Sequence, residues 1–191
     1  MWNPIFLKMN TDTNRRITYG QDQFCQFGQL ITELFRGMGL IASVDDRHFR
    51  RKTNGSGSIG EQFRHNLDFV NSLLKGIKDG RIDYNDRERD ARVEEDREFA
   101  RASFLVSIER LRQISAAHYS RNMLVRSEID PSVWLPSSFV RELEFVYSHT
   151  VHHHALIAQK LDVLGVAISE DFGVAHSTLE YWKQTNVPVI G

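Results

Sequence analysis

Apolar residues recur at helical spacing in four long stretches of the chain, and polar, turn-rich segments separate them. The first stretch follows a polar lead-in that ends near Arg16 and runs Phe24, Phe27, Leu30, Ile31, Leu34, Phe35, Met38 and Ile41. A polar segment from Asp45 to Gly57 breaks the pattern. Ser58, followed one helical turn later by Glu61, then forms a capping box that opens a second helix. That helix carries Phe63, Leu67, Val70, Leu74 and Ile77 and ends near Gly80. After the polar stretch Asp79 to Asp90, Glu94, Glu95 and Asp96 place negative charge on the first turn of a third helix, where the macrodipole favours it. This helix bears Phe99, Phe104, Leu105, Ile108, Leu111 and Ile114.

The connection from His118 to Pro136, about twenty residues, is longer than most links and reads as a crossover or a pocket wall, with Met123-Leu124-Val125 extended. A fourth helix begins after Pro136 and Ser137, carries Phe139, Leu143, Val146, Leu156, Ile157, Leu161 and Leu164, and stops at Gly165. Ser177 with Glu180 suggests a second capping box ahead of Leu179, Tyr181 and Trp182, hence a short C-terminal helix packed across the others. Four amphipathic helices with no convincing strand between them predict an all-α four-helix bundle, because each stripe can be buried only against the others. A length of 191 residues fits one such domain, 1–191, with residues 1–16 as its lead-in.

Composition narrows the function classes. With 41% hydrophobic and 26% charged residues the chain is an ordinary globule, which excludes disordered and collagen-like classes. Lys and Arg number 24 against 25 Asp and Glu, so no global field draws it to nucleic acid or an anionic membrane. Cys25 is the only cysteine, which leaves histidine and carboxylate as the available metal ligands. The opening Met1-Trp2-Asn3-Pro4-Ile5-Phe6-Leu7-Lys8 has no basic region leading into an apolar run, and no apolar run approaches bilayer-spanning length, so the expected compartment is the cytosol. Without a secretory signal, the acceptor pattern Asn54-Gly55-Ser56 carries no weight.

The fourth helix contains Ser148-His149-Thr150-Val151-His152-His153-His154. At about 100° per residue, Val146, His149, His153 and Ile157 fall on one stripe, the one that also holds Phe139 and Leu164. His152 projects to a flank and His154 to the edge of the apolar arc, so neither is expected to share an ion with the pair. Histidines one turn apart on one face put two imidazoles within reach of a single ion. The other reading is a pair of core histidines satisfied by hydrogen bonds, and two polar rings in an apolar stripe are costly without partners. A third ligand has to come from another helix. His65, in Gly60-Glu61-Gln62-Phe63-Arg64-His65-Asn66-Leu67-Asp68, lies at the edge of its helix's apolar arc, where a histidine is either a ligand or a solvated polar residue.

With these residues in place the chain resembles the DinB/YfiT-like superfamily of metal-binding four-helix bundles. The likeness rests on Ile59 to Asp68, with its histidine and nearby aspartate, and on His149-x-x-x-His153 with a further histidine beside it. It covers most of the chain in order and spacing. The resemblance implies that His65, His149 and His153 hold one divalent metal ion and that substrate approaches its open side. It further implies action on thiol cofactors or hydrolysis of small molecules, and a homodimer, which would also help bury the twelve phenylalanines. A related bundle in iron-dependent sulfoxide synthases carries a His-x-Glu step, but here Ala155 stands two residues after His153.

Three neutral imidazoles leave coordination positions open for water or a thiolate, and zinc, nickel and iron(II) all suit such ligands. Asp68, one turn after His65, either orients that ring or is a surface charge. Glu142, on the inward stripe two turns before His149, is either a buried ion-pair partner or a general base. The charged segment Asp83-Tyr84-Asn85-Asp86-Arg87-Glu88-Arg89-Asp90 either lies over the pocket, with Tyr84, Asp86 and Arg87 binding substrate, or is a solvated loop. Two functions of different class therefore stand: a metal-dependent hydrolase or thiol S-transferase, and a bundle that binds metal or ligand without turnover. Other motifs fall away. Gly55-Ser56-Gly57-Ser58-Ile59-Gly60 lacks the preceding strand of a dinucleotide site, and Arg87 stands where a calcium loop starting at Asp83 needs an oxygen. Cys25 belongs to the apolar side of its helix rather than to a nucleophilic site.

Overall fold

The computed structural model describes residues 22–52 and 57–185, with side chains from residue 27 onward except Ala116. The lead-in through Arg16, the side chains of Phe24 and Cys25, and Asn54-Gly55-Ser56 lie outside the described residues. The predicted stripes become four long helices: α1 (Asp22–Ser43), α3 (Ile59–Asp79), α5 (Arg97–Arg112) and α6 (Phe139–Val163). Helices α1 and α3 each pack against both α5 and α6. Their apolar faces meet in one core that includes Leu30, Leu34 and Ile41 of α1, Phe63, Val70 and Leu73 of α3, Phe104, Ile108 and Leu111 of α5, and Phe139, Leu143, Val146, Ile157 and Leu161 of α6. Each such side chain contributes about 1.5–3 kcal/mol by leaving water. Leu105, assigned to the buried stripe of α5, is 45% exposed beside Val106. No helix among the described residues is long and apolar enough to cross a membrane.

The local signals act as the chemistry requires. Ser58 Oγ accepts from Glu61 N–H at 3.0 Å while Glu61 Oε2 accepts from Ser58 N–H at 2.6 Å, closing the capping box at the start of α3. Two short helices were not foreseen. Asp45 caps α2 (Asp46–Arg50), which buries Phe49 against Phe63. Glu94 and Glu95 belong to α4 (Arg92–Glu95) rather than to the long helix, and Asp96 alone caps α5 through bonds from the N–H groups of Glu98 and Phe99. Helix α7 (His176–Thr185) starts one residue before Ser177, so Ser177 is not its cap. Ala175 O takes the N–H groups of Thr178 and Leu179, and none of the helix's residues is buried, so it does not seal the core.

The strictly all-α expectation also needs correction, because a three-stranded sheet forms among the described residues. Strand β1 (Arg81–Ile82) pairs in parallel with β2 (Asn122–Arg126), and β2 pairs antiparallel with β3 (Trp134–Ser138) in a register that sets Leu124 against Pro136. The extended reading of Met123-Leu124-Val125 holds, and Pro136 is tolerated because β3 is an edge. Gly80, at φ 72°, ends α3 in the left-handed conformation and turns the chain into β1. The sheet thereby anchors both ends of the site: β1 feeds residues 83–90 back along α3, and β3 runs directly into α6.

Candidate metal centre

Helix α3 brings His65, and α6 brings His149 and His153, so that one ring nitrogen of each lies within 4.8 Å of the others. The ring centroids are 5.1 Å apart for His65 and His149, 4.6 Å for His65 and His153, and 4.4 Å for His149 and His153. The register of the two helices is fixed beside the cluster, where Thr150 Oγ1 donates across to Asn66 Oδ1 at 2.9 Å. These three residues could hold a metal ion, as the sequence expects.

The hydrogen bonds around the rings say which nitrogens are free. Gln62 Oε1 can only accept, so the 2.7 Å contact with His153 Nδ1 puts the proton there and turns the Nε2 lone pair toward His149. That nitrogen faces His149 Nε2 at 3.2 Å, two imidazole nitrogens pointed at one another, which is where an ion would replace a shared proton. His149 Nδ1 is buried without a partner. Its ring ends a stack instead: Phe69 lies on one face of it with centroids 3.8 Å apart and an interplanar angle of 20°, and Tyr84 lies on the other face of Phe69.

The rings are held neutral. Burial first, then the charges of Arg87, Arg64 and Arg89, lowers His65 to about 4. Burial and then the neighbouring histidines lower His149 and His153 to about 3. Neutral imidazole is the form that binds metal, so the donor set fits a divalent ion at neutral pH.

The remaining sequence candidates occupy other roles. Asp68 is buried and does not orient His65. Its Oδ2 accepts from Arg64 at 3.1 Å and its Oδ1 from the Arg89 N–H at 3.3 Å. Burial raises its carboxyl above the ordinary range, against these partners. Arg89 has φ 51°, a left-handed conformation rare for a side-chain-bearing residue, and the Asp68 bond holds it there. Asp68 thus positions the loop that carries Arg87.

Glu142 is a buried structural acid: Tyr84 Oη donates to its Oε2 at 3.0 Å, and Ser137 Oγ and Arg141 Nη1 donate to its Oε1 at 2.6 and 3.2 Å. Tyr84 is itself 3% exposed, and burial together with the Glu142 charge raises its phenol far above the ordinary value. Asp86 is exposed and pairs with Lys75 at 2.7 Å. Arg87 alone of the loop candidates reaches the cluster, donating from Nη1 to His65 Nδ1 at 3.2 Å, with its guanidinium 5.3 Å above the Phe69 ring.

The other two histidines of α6 diverge. His152 is exposed. His154, expected at the edge of the apolar arc, is fully buried on the α1 side, where its Nδ1 meets Glu33 Oε2 at 3.2 Å and its ring stacks on Phe172. Burial alone would raise Glu33, but His154 and Arg36 outweigh it and hold the carboxyl low, while burial lowers His154. The pair is therefore a charged carboxylate accepting from a neutral ring. Sequence reading missed Gln62 as well as Glu33. Gln62 sits one turn before His65 on the same face, which is the signal that could have found it; Glu33 carries no such signal, since it lies far from His154 in the chain.

No family model matches the chain, and no solved structure matches it. Over 107 residues, 54% of the chain, it is 29% identical to FK506-binding protein 5 of Rhizopus delemar, and this stretch spans 28% of that protein's length.

Proposed function

We propose that the chain is a metal-dependent enzyme of the DinB/YfiT-like type, a four-helix bundle acting on a small molecule through one divalent ion held by His65, His149 and His153. The observation that carries this reading is the convergence of the three neutral imidazoles from α3 and α6. Pairwise packing of α1, α3, α5 and α6 supports the bundle, with the sheet as an accessory to it. Zinc, nickel and iron(II) all suit the donor set. When bound, such an ion supplies a Lewis acid that can activate water or hold a thiolate.

The chain's own residues supply the rest. Gln62 fixes the tautomer of His153, and Phe69 covers one face of His149 and keeps water from it. The nearby carboxylates Asp68 and Glu142 are both committed to internal partners, which favours thiol S-transfer over hydrolysis assisted by a carboxylate base. The same commitment favours, as the second reading, a bundle that binds metal or ligand without turnover. The similarity to FK506-binding protein 5 covers too little of that protein to bring its binding here.

The test is metal content after zinc, nickel or iron(II) is offered, followed by a turnover screen with thiol cofactors and with amide and ester substrates. One ion per chain and turnover of a thiol substrate are expected. Loading without any turnover selects the binding bundle, and a protein that stays metal-free overturns the metal site in both readings.

A further inference from the structure

We propose that the small molecule handled at the histidine cluster bears a carboxylate, and that Arg87 is the residue that takes it. The inference rests on the metal reading above for its setting and on the surroundings of Arg87 for its content. Among the described residues Arg87 has no carboxylate within ion-pair distance, although acids surround it. Asp68 is spent on Arg64 and Arg89, and Asp86 on Lys75. Of the neighbouring cations, Arg64 also pairs with Glu94, and Arg92 with Asp90. Arg87 instead spends one N–H on a neutral ring nitrogen and rests its face on Phe69, and its Nε is buried with no hydrogen-bond partner. A partly buried cation with no counter-charge is expensive to keep, and an anionic ligand removes that cost.

The free part of the guanidinium identifies the anion. Nη1 is turned to His65 and Nε lacks a partner, and the Nε–Nη2 edge carries two parallel N–H groups that match the two oxygens of a carboxylate. One guanidinium edge suits the two oxygens of a monoanionic carboxylate, and phosphate is the competing anion in the test. Arg87 also lines a cavity of about 260 Å³ with three further cations, Lys75, Lys78 and Arg110, and four acids, so the guanidinium stands between that space and His65. The histidines contribute no negative charge, and an ion that took the His65 Nδ1 lone pair would displace the Arg87 bond and face the guanidinium. A carboxylate placed between the two cations would relieve their repulsion, and among the described residues no carboxylate pairs with Arg87.

The test uses protein loaded with cobalt(II), whose visible absorption reports changes around the ion. Acetate is titrated into wild type, Arg87→Gln and Arg87→Lys, with acetamide and inorganic phosphate as parallel arms. Acetate should change the wild-type spectrum and acetamide should not. Arg87→Gln should weaken acetate at least about 10-fold, and Arg87→Lys, which keeps the charge but loses the fork, should weaken it several-fold. The lysine variant decides the matter if the glutamine variant loses its circular-dichroism signature. Acetate affinity unchanged by either substitution, or matched by acetamide, overturns the inference, and a stronger response to phosphate overturns the choice of carboxylate. A wild type that takes up no cobalt overturns the metal site and this inference together, an outcome visible before any acetate is added.

Discussion

His153 and His154 are consecutive in the chain, yet α6 delivers them to opposite neighbours. His153 turns to α3, where it meets Gln62, His65 and His149 in a group of ring nitrogens with no acid among them. His154 turns to α1, where Glu33 answers it with a full negative charge and Phe172 covers its ring. Both rings are buried and both are pushed toward the neutral form. The difference lies in what completes them. On the α1 side the protein supplies the partner itself, and Gly37 leaves no space for anything else, since a Cβ there would come within 2.8 Å of His154 Nε2. Each side leaves one buried ring nitrogen without a partner, His154 Nε2 and His149 Nδ1, but only on the α3 side do ring nitrogens face each other, His153 Nε2 against His149 Nε2. Burial of histidine is thus no guide to function; whether its partners come from the protein is the informative distinction.

The sharpest way to break the comparison is to remove one ring from each side. His149→Ala or His153→Ala deletes one of three metal bonds and should lower metal affinity by about 1,000-fold, equivalent to about 4 kcal/mol, in a competition titration with a chelator. His154→Ala should instead cost about 3 kcal/mol of folding stability in urea while leaving metal affinity near wild type, because it opens a cavity and strips Glu33 of a donor. If His154→Ala abolished metal uptake in a protein that is still folded, the division of α6 into two sides would be wrong. Gln62→Leu tests the support beneath His153. Losing the acceptor that fixes its tautomer should weaken metal binding about 10- to 100-fold without changing how many ions bind.

A smaller effect concerns pH. With His65 held down to about 4 and His149 and His153 to about 3, the folded chain carries fewer protons than the unfolded one below the ordinary histidine value of 6.5. The metal-free protein should therefore lose stability as pH falls from 6.5 toward 4, seen as a falling urea midpoint. His149→Phe should flatten that fall, and saturating zinc should displace it to lower pH by competing with protons for the same nitrogens. The least effect is expected from His152→Ala, whose exposed ring meets only the edge of His153; metal affinity should stay within about 2-fold of wild type.

The long helices were legible because each buries a periodic stripe, and Ser58 with Glu61 marked a boundary by local chemistry alone. The short elements were not. Phe49 is the one buried side chain of α2, Val93 that of α4, and Ile82 that of β1, and a single apolar residue has no period to detect. The facing of His149 and His153 followed from helical phase, since both lie on one rigid element. The roles of Asp68, Tyr84 and Glu142 did not, because each depends on which partner another segment brings. Glu142 meets a tyrosine 58 residues away, and Asp68 meets the backbone of a loop whose path is set by Gly80 and the small sheet.

The bond from His153 to Gln62 joins positions 91 residues apart. During synthesis, α3 has left the ribosome well before α6 is made, so the nascent chain carries His65 alone and offers an ion nothing to grip. If the site takes an ion, its capture is the last event in maturation, and the cell's supply of metal would bear on docking of the final long helix rather than on the collapse of the first three. By mass action a bound ion would favour the docked α6, so shortage of metal would be felt first as fraying between α3 and α6, on the side that faces Arg87.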